Sequence, residues 1–326
     1  MKKNTITVLI LIFTVTSLSA QVKIKEISGM GQKKFKDAAK KVYISDFRVN
    51  YQLLYSQTEV AEGGREIGGG YRGDAKAGLT MGVKGLEQGD LMEITNHIYQ
   101  KYAQEFQSMG FAIVSASDAS KIEEFEGYEL KEGGTISEDQ FPGLLSTTPG
   151  NYQYLIKKTT AKGKEKGRFN GYKASAQLGG AIVASLNIDV LFVEDAESGA
   201  SKALGKAVGG VAKIVVRPNL RIAEARSNNQ FFFAEKEIKP LAYTKMEVKD
   251  PVEIAGVFED KKYKAAESAQ TDNWGSQVGT MRYFNVSDSY LSKTIPLECD
   301  ASKYKSGVKE AAGAYVDTIF ATFKDY

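Results

Sequence analysis

From Tyr172 to Phe192 every even-numbered position is apolar or glycine: Tyr172, Ala174, Ala176, Leu178, Gly180, Ile182, Ala184, Leu186, Ile188, Val190 and Phe192. The odd positions hold Lys173, Ser175, Gln177, Ser185, Asn187 and Asp189, interrupted by Gly179, Ala181 and Val183. Side chains alternate between two faces only in an extended chain, so the run predicts strand with one apolar face. Strands usually run to about 5–6 residues, and this pattern is far longer; Gly179-Gly180 is where it would bend or divide. A partner run follows at Ile214, Val216, Leu220 and Ile222, in which Pro218 has no N–H to give a ladder and predicts an edge strand or a bulge. Two placements fit the pair. One is a soluble sheet with a wet face; the other is a hairpin of an oligomeric outer-membrane barrel, whose spans alternate in the same way. No aromatic girdle stands at both ends of the runs, which favours the soluble sheet.

Further alternation occurs earlier in the chain. From Val42 to Tyr55 the odd positions Tyr43, Ser45, Phe47, Val49, Tyr51, Leu53 and Tyr55 oppose Asp46, Arg48, Asn50 and Gln52, which predicts a strand with its polar face outward. Ala75, Ala77, Leu79, Met81 and Val83 make a second such run. Helical spacing then takes over. Leu91, Ile94, Ile98, Tyr102, Phe106 and Met109 form one stripe, with Asp90 and Glu93 as a capping-box pair and Gly110 as the stop, and this predicts a helix over 91–109. The short apolar segment Phe111–Val114 follows it directly, a helix-to-strand order typical of α/β proteins. Tyr304, Val308, Ala311, Tyr315, Ile319 and Phe323 predict a last helix over 302–323. The expected fold class is therefore α/β (α+β), a mixed sheet with long alternating strands packed by these two helices.

Met1-Lys2-Lys3, the apolar run Ile6–Val15 and the small-residue end Ser17–Ala20 have the layout of a secretory signal peptide, and the run is too short for a membrane span of about 20 residues. Cleavage is expected between Ala20 and Gln21. Residues 21–41 then read as a lysine-rich leader, and 42–326 as one α/β domain or two subdomains. No cysteine lies near the cut, so a lipid-anchored amino terminus is not expected. The formal charge of +3 includes Lys2 and Lys3, so the mature balance falls to +1 and nucleic acid is not an expected partner. Cys299 is the only cysteine and cannot form an internal disulfide; a buried, inert thiol is the simplest reading.

The inventory is poor in catalytic material. One histidine rules out a histidine-rich zinc site, and His97 falls on the solvent side of the 91–109 helix with no orienting partner. Gly68, Gly70 and Gly73 have dinucleotide-loop spacing but lack the strand before and the helix after that give it meaning. Gly199–Lys206 is one residue too long for a phosphate loop, and Ala207 replaces the required Ser or Thr. Arg72-Gly73-Asp74 reads as a chance match to an adhesion tripeptide, Trp274 is a lone aromatic, and Lys157–Arg168, with six basic residues and one Glu, reads as a mobile, solvated loop. Carboxylates are plentiful, and Asp189, Glu194, Asp195 and Glu197 cluster near one strand end, where they could hold calcium or act as a glycosidase pair; an acidic strand-to-loop transition is the simpler account. No cofactor or metal is expected.

The element order resembles the periplasmic α/β fold shared by the curli-secretion channel protein CsgG and the TolB amino-terminal domain. The matching pieces are the opening strand Lys41–Phe47, a glycine-rich insertion, the helix Leu91–Met109, the strand Gly110–Val114, the paired strands near 184–193 and 212–223, and a final helix. The chain departs from many channel-type members in lacking their lipidation cysteine, and no binding or catalytic residue carries over. The resemblance implies a non-enzymatic envelope protein working through protein contacts. The sequence thus leads to an exported protein of the periplasm or outer-membrane surface, or one released outside the cell. Its expected partners are other envelope proteins or further copies of itself, with any membrane contact made without a lipid anchor or spanning helix. The alternative is a secreted carbohydrate-active or ligand-binding protein using Asp189–Glu197.

Overall fold

A computed structural model describes residues 22–61, 75–196, 213–237, 241–264, 277–278, 281–282 and 294–326. The first half of the chain supplies β1 (Ile24–Met30), β2 (Lys41–Tyr51), β3 (Leu54–Ala61), β4 (Ala75–Lys84), helix α1 (Gln88–Ser108), β5 (Ala112–Ile113), helix α2 (Ala116–Ala119), β6 (Glu129–Glu132), β7 (Ile136–Phe141), β8 (Leu144–Thr147) and β9 (Gln153–Ile156). The second half supplies β10 (Lys158–Thr159), β11 (Glu165–Lys166), helix α3 (Gly171–Gln177), β12 (Ile182–Asp195), β13 (Val215–Ile222), β14 (Asn228–Ala234), β15 (Leu241–Val248), β16 (Val252–Ile254), β17 (Tyr263–Lys264), β18 (Gln277–Val278), β19 (Met281–Arg282), β20 (Thr294–Glu298) and helix α4 (Ala301–Lys324). The fold is mixed α/β, as the sequence predicts.

The main sheet runs β1-β15-β14-β12-β2-β8-β7. β12 pairs with β2 in parallel along one edge. Its other edge takes β14 and then β13, both antiparallel, so the chain from 216 to 232 retraces β12 with an excursion at 223–227. The register slips where Leu191 pairs Arg221 and Val193 pairs Pro218, which is the bulge that a proline without an N–H requires. β13 is not an outer edge, because β16 and β17 pair with its far side. A smaller sheet has the order β20-β4-β3.

Several expectations change. The alternation from Tyr172 to Leu178 is not strand: Gly171–Gln177 is α3. Asn170 caps it, its side chain accepting from the Tyr172 and Lys173 N–H groups at 3.0 and 3.3 Å. Gly179 and Gly180, at φ +71° and +78°, end it in the left-handed region that favours glycine. Ala174, Ser175 and Ala176 tolerate helix, and an alternating pattern containing so many small residues does not discriminate. The strand proper, β12, is 14 residues long.

The run from Val42 to Tyr55 is also not one strand with a wet face. It divides into β2 and β3, and Arg48 and Asn50 on its polar side are 9% and 0% exposed. Ile44 pairs Ala184 but Asp46 pairs Ser185, so Ser45 is an extra residue, its hydroxyl donating to the Ala184 carbonyl at 3.0 Å. One inserted residue inverts the alternation. Val42 and Ile44 before the bulge, and Phe47, Val49 and Tyr51 after it, therefore face the same core, while Tyr43 faces the smaller cluster on the other side with Phe125 and Leu155.

Residues expected as a leader instead join the fold: β1 pairs antiparallel with β15, and Phe35 of the following 3-10 turn packs on Phe323 and Tyr326. α1 begins a turn earlier than expected, the Asp90 carboxylate accepting from the Glu87 N–H at 2.9 Å. α4 begins where Asp300 accepts from the Lys303 N–H at 3.1 Å. Both long helices cover one face of the sheet, where Phe106 sits among Tyr102, Phe111, Phe231 and Phe320 at ring separations of 4.7–5.8 Å. Their outer surfaces are joined by Lys101–Asp317, Lys305–Asp90, Lys305–Glu93, Lys309–Glu93 and Lys324–Glu105.

Candidate functional site

The acidic cluster is not brought together. Asp189 and Asp195 lie six residues apart on β12, roughly 20 Å along a strand, beyond the separation at which two carboxyl groups act on one bond. Asp189 is only 3% exposed. Its Oδ1 accepts from the Asn50 amide at 2.6 Å and the Asn187 amide at 3.1 Å, and its Oδ2 from Arg226 Nε at 2.7 Å. Ser146 donates to the Asn50 carbonyl oxygen at 2.6 Å, and the Asp189 N–H donates to Ser227 Oγ at 3.0 Å. Arg226 and Ser227 belong to the excursion between β13 and β14, in which Ala225 holds φ +57°. Asp189 is thus the internal anchor of that excursion. Glu194 pairs with Arg217 and accepts from Asn219 at 2.7 Å; partial burial would raise its pKa, but Asn219, Arg217 and Arg221 together bring it below the usual carboxylate range. Asp195 is exposed at the strand end, and Glu197 lies outside the described residues.

The structure draws a different set of residues together on the sheet face opposite α1 and α4. A groove of about 500 Å³ lies over β2, β12 and β14 and is walled by β7, β9 and β11. At its floor is Arg48. Its Nε donates to Asp46 at 2.9 Å, its Nη2 to Glu165 at 2.6 Å, and its guanidinium lies over the Tyr154 ring at 5.3 Å. Burial acts to lower the Arg48 pKa, but Asp46 and Glu165 more than compensate and hold it charged. Tyr154 donates to Glu165 at 2.9 Å, and burial foremost pushes its phenol up to about 12. Gln140 accepts from the Glu165 N–H at 3.0 Å.

These contacts pin a segment expected to be a solvated loop. Lys157–Arg168 is a short β-hairpin: Lys158 pairs Lys166, Thr159 pairs Glu165, and Gly163 turns the tip at φ +78°. Glu165, its one acidic residue, faces inward to Arg48 and Tyr154. Its six cations are all exposed. No local pattern marked Arg48 as important, since Glu165 is 117 residues away in sequence. The one available signal was an arginine on a strand otherwise destined for burial.

Neither group that sequence reasoning set aside gains a catalytic setting. His97 is exposed on α1, and partial burial together with Lys309 and Lys101 lowers its pKa. Cys299 is half-buried, and burial foremost pushes its thiol up to about 12, the behaviour of an unreactive cysteine. Among the described residues no group of three or more His, Cys, Asp or Glu side chains is placed to hold a metal ion. The glycines Gly68, Gly70 and Gly73, Arg72-Gly73-Asp74, Gly199–Lys206, Trp274 and the expected cleavage site Ala20–Gln21 lie outside the described residues. The groove is lined by Arg48, Gln140 and Gln230, whose polar groups are engaged within the fold, and by the rings of Phe141, Tyr154, Phe169 and Phe232.

No family model matches the chain, and no curated protein or solved structure matches it either.

Proposed function

We propose that this chain is an exported protein of the cell envelope, in the periplasm or at the outer membrane, that acts as an interaction or assembly component without chemistry of its own. The observation that carries this reading is the use of its carboxylates: Asp189 spends its charge on Arg226 at the surface, and Asp46 and Glu165 spend theirs on the buried Arg48. The signal-like pattern of residues 1–20 supports export, and the resemblance in element order to the CsgG and TolB-type periplasmic fold supports work through protein contacts. No described helix is long and apolar enough to cross a membrane, in keeping with an attachment made through surfaces. The alternative of a secreted ligand-binding protein finds its support in the groove over Arg48 instead of in Asp189–Glu197.

Cell fractionation with native mass measurement tests the reading. The expected product begins at Gln21, resides in the envelope fraction and is recovered with envelope proteins or as an oligomer. A cytoplasmic protein retaining residues 1–20 would overturn it.

A further inference from the structure

The hairpin Lys157–Arg168 is, with Lys33–Lys41, one of two dense clusters of positive charge in the described residues, and the one whose anchoring is built from buried side chains. Lys157, Lys158, Lys162, Lys164, Lys166 and Arg168 against the single Glu165 give it +5, while residues 21–326 together amount to +1, so the remainder of that stretch is at −4. Among the described residues none of the six cations lies within ion-pair distance of a carboxylate, because Glu165 is turned to Arg48. Lys158 and Lys166 are direct cross-strand partners, an arrangement of like charges that destabilises a ladder. Two strands of two residues each do not hold themselves together in water. The buried Arg48, Tyr154 and Gln140 supply that hold, fixing a strained cluster of positive charge at the surface.

The chemistry of the six side chains narrows the partner. Five are lysines, compact point charges on long stems, and only one is an arginine suited to gripping a single carboxylate or phosphate with two bonds. The hairpin contains no aromatic residue on which a base could stack, which argues against nucleic acid. A second copy of the chain offers a poor counterpart. In its most acidic stretch Glu123 pairs with Lys173 and Glu129 with Lys131, Glu124 accepts from the Asn170 N–H at 2.6 Å and Glu132 accepts from Gln153 at 2.7 Å, so of five glutamates only Glu126 is left unengaged among the described residues. A layer of many anionic groups at no fixed spacing fits best. We propose that the Lys157–Arg168 hairpin docks this protein onto an anionic lipid surface through the headgroup phosphates, an inference that rests on the envelope reading and names the surface involved.

The test uses the purified protein and vesicles of phosphatidylcholine, alone or mixed with phosphatidylglycerol, at low and high ionic strength. Co-sedimentation with the mixed vesicles only, weakening as salt rises, is expected. The combined Lys158→Gln, Lys164→Gln and Lys166→Gln variant should bind the mixed vesicles about a hundredfold more weakly while unfolding at a temperature no lower than the parent's, since it also relieves the Lys158–Lys166 repulsion. The corresponding Lys→Arg variant should bind like the parent. Failure to bind mixed vesicles, equal binding by the Gln variant, tighter binding to an RNA oligomer at the same phosphate concentration, or a salt-sensitive self-association abolished by the Gln variant would each overturn the proposal. Fractionation keeps the two readings apart. An exported protein that ignores the vesicles defeats only the docking proposal, whereas a cytoplasmic protein that binds them defeats only the envelope reading.

Discussion

The two faces of the central sheet are built on opposite principles. Beneath α1 and α4 lie Phe106, Phe231, Phe320 and Phe323, fully or almost fully buried and packed ring against ring, with stability coming from burial and close packing. On the other face a smaller apolar cluster around Tyr43, Phe125 and Leu155 lies beside a polar stretch, Arg48, Asn50, Asn187 and Asp189, in which every charge has a partner and hydrogen bonds take the place of packing. The dry face holds the sheet to the helices. The polar face holds two surface features in place, the excursion 223–227 through Asp189 and the basic hairpin through Arg48. A polar face of this kind contributes less to stability and more to the shape presented outward, since the net gain from exchanging water for an internal partner is small.

The sharpest way to break this contrast is to empty a site on each face and compare urea denaturation midpoints. Phe106→Ala removes the ring that touches four others and should cost about 3–5 kcal/mol. Asp189→Ala strands the Asn50 amide and frees Arg226, whose side chain is half-exposed, and should cost less, about 2–3 kcal/mol. An equal or larger loss at Asp189 would mean that the polar face is the principal source of stability. Glu165→Gln keeps the shape of the hairpin's anchor but leaves Arg48 with Asp46 alone, for an expected loss of about 1–2 kcal/mol. Its more telling readout is amide exchange: the Lys157 N–H, bonded to the Lys166 carbonyl at 2.8 Å, should lose protection while the Leu186 N–H in β12 keeps it.

The smallest effect is expected at the strand end. The folded pKa of Glu194 lies below its ordinary value, so its contribution is present at neutral pH and fades as the pH falls below about 4.3 and through the folded value. With Arg217 44% exposed the contribution is screened, and Glu194→Gln should cost no more than about 0.5 kcal/mol at pH 7 and flatten the acid limb of the stability profile slightly. A loss comparable to that at Asp189 would show that the outer end of β12 is as demanding as its buried middle.

Legibility followed the same division. The stripes Leu91–Ile94–Ile98–Tyr102–Phe106 and Tyr304–Val308–Ala311–Tyr315–Ile319 face the core as read, because a helix of that length repeats its pattern often enough to be unambiguous. The strands were legible in type but not in detail. A single inserted residue at Ser45 reverses which side chains face inward, and alternation among small residues at 172–178 is equally compatible with a capped helical turn. The candidate site was the least legible part. Its pairings, Arg48 with Glu165 and Asn50 with Asp189, join residues 117 and 139 positions apart.

By itself the amino-acid sequence determined the class of the fold, the two long helices, a break in regular pairing at Pro218 and the scarcity of groups suited to catalysis, since each follows from local periodicity, backbone chemistry or inventory. Only the tertiary structure decided that the polar side of β2 is interior, that Asp189 anchors a neighbouring turn, and that the basic segment at 157–168 is a fixed hairpin. The physical reason is that the role of a charged side chain depends on which opposite charge the fold brings within about 3 Å of it, and chain position does not encode that until the strands have paired.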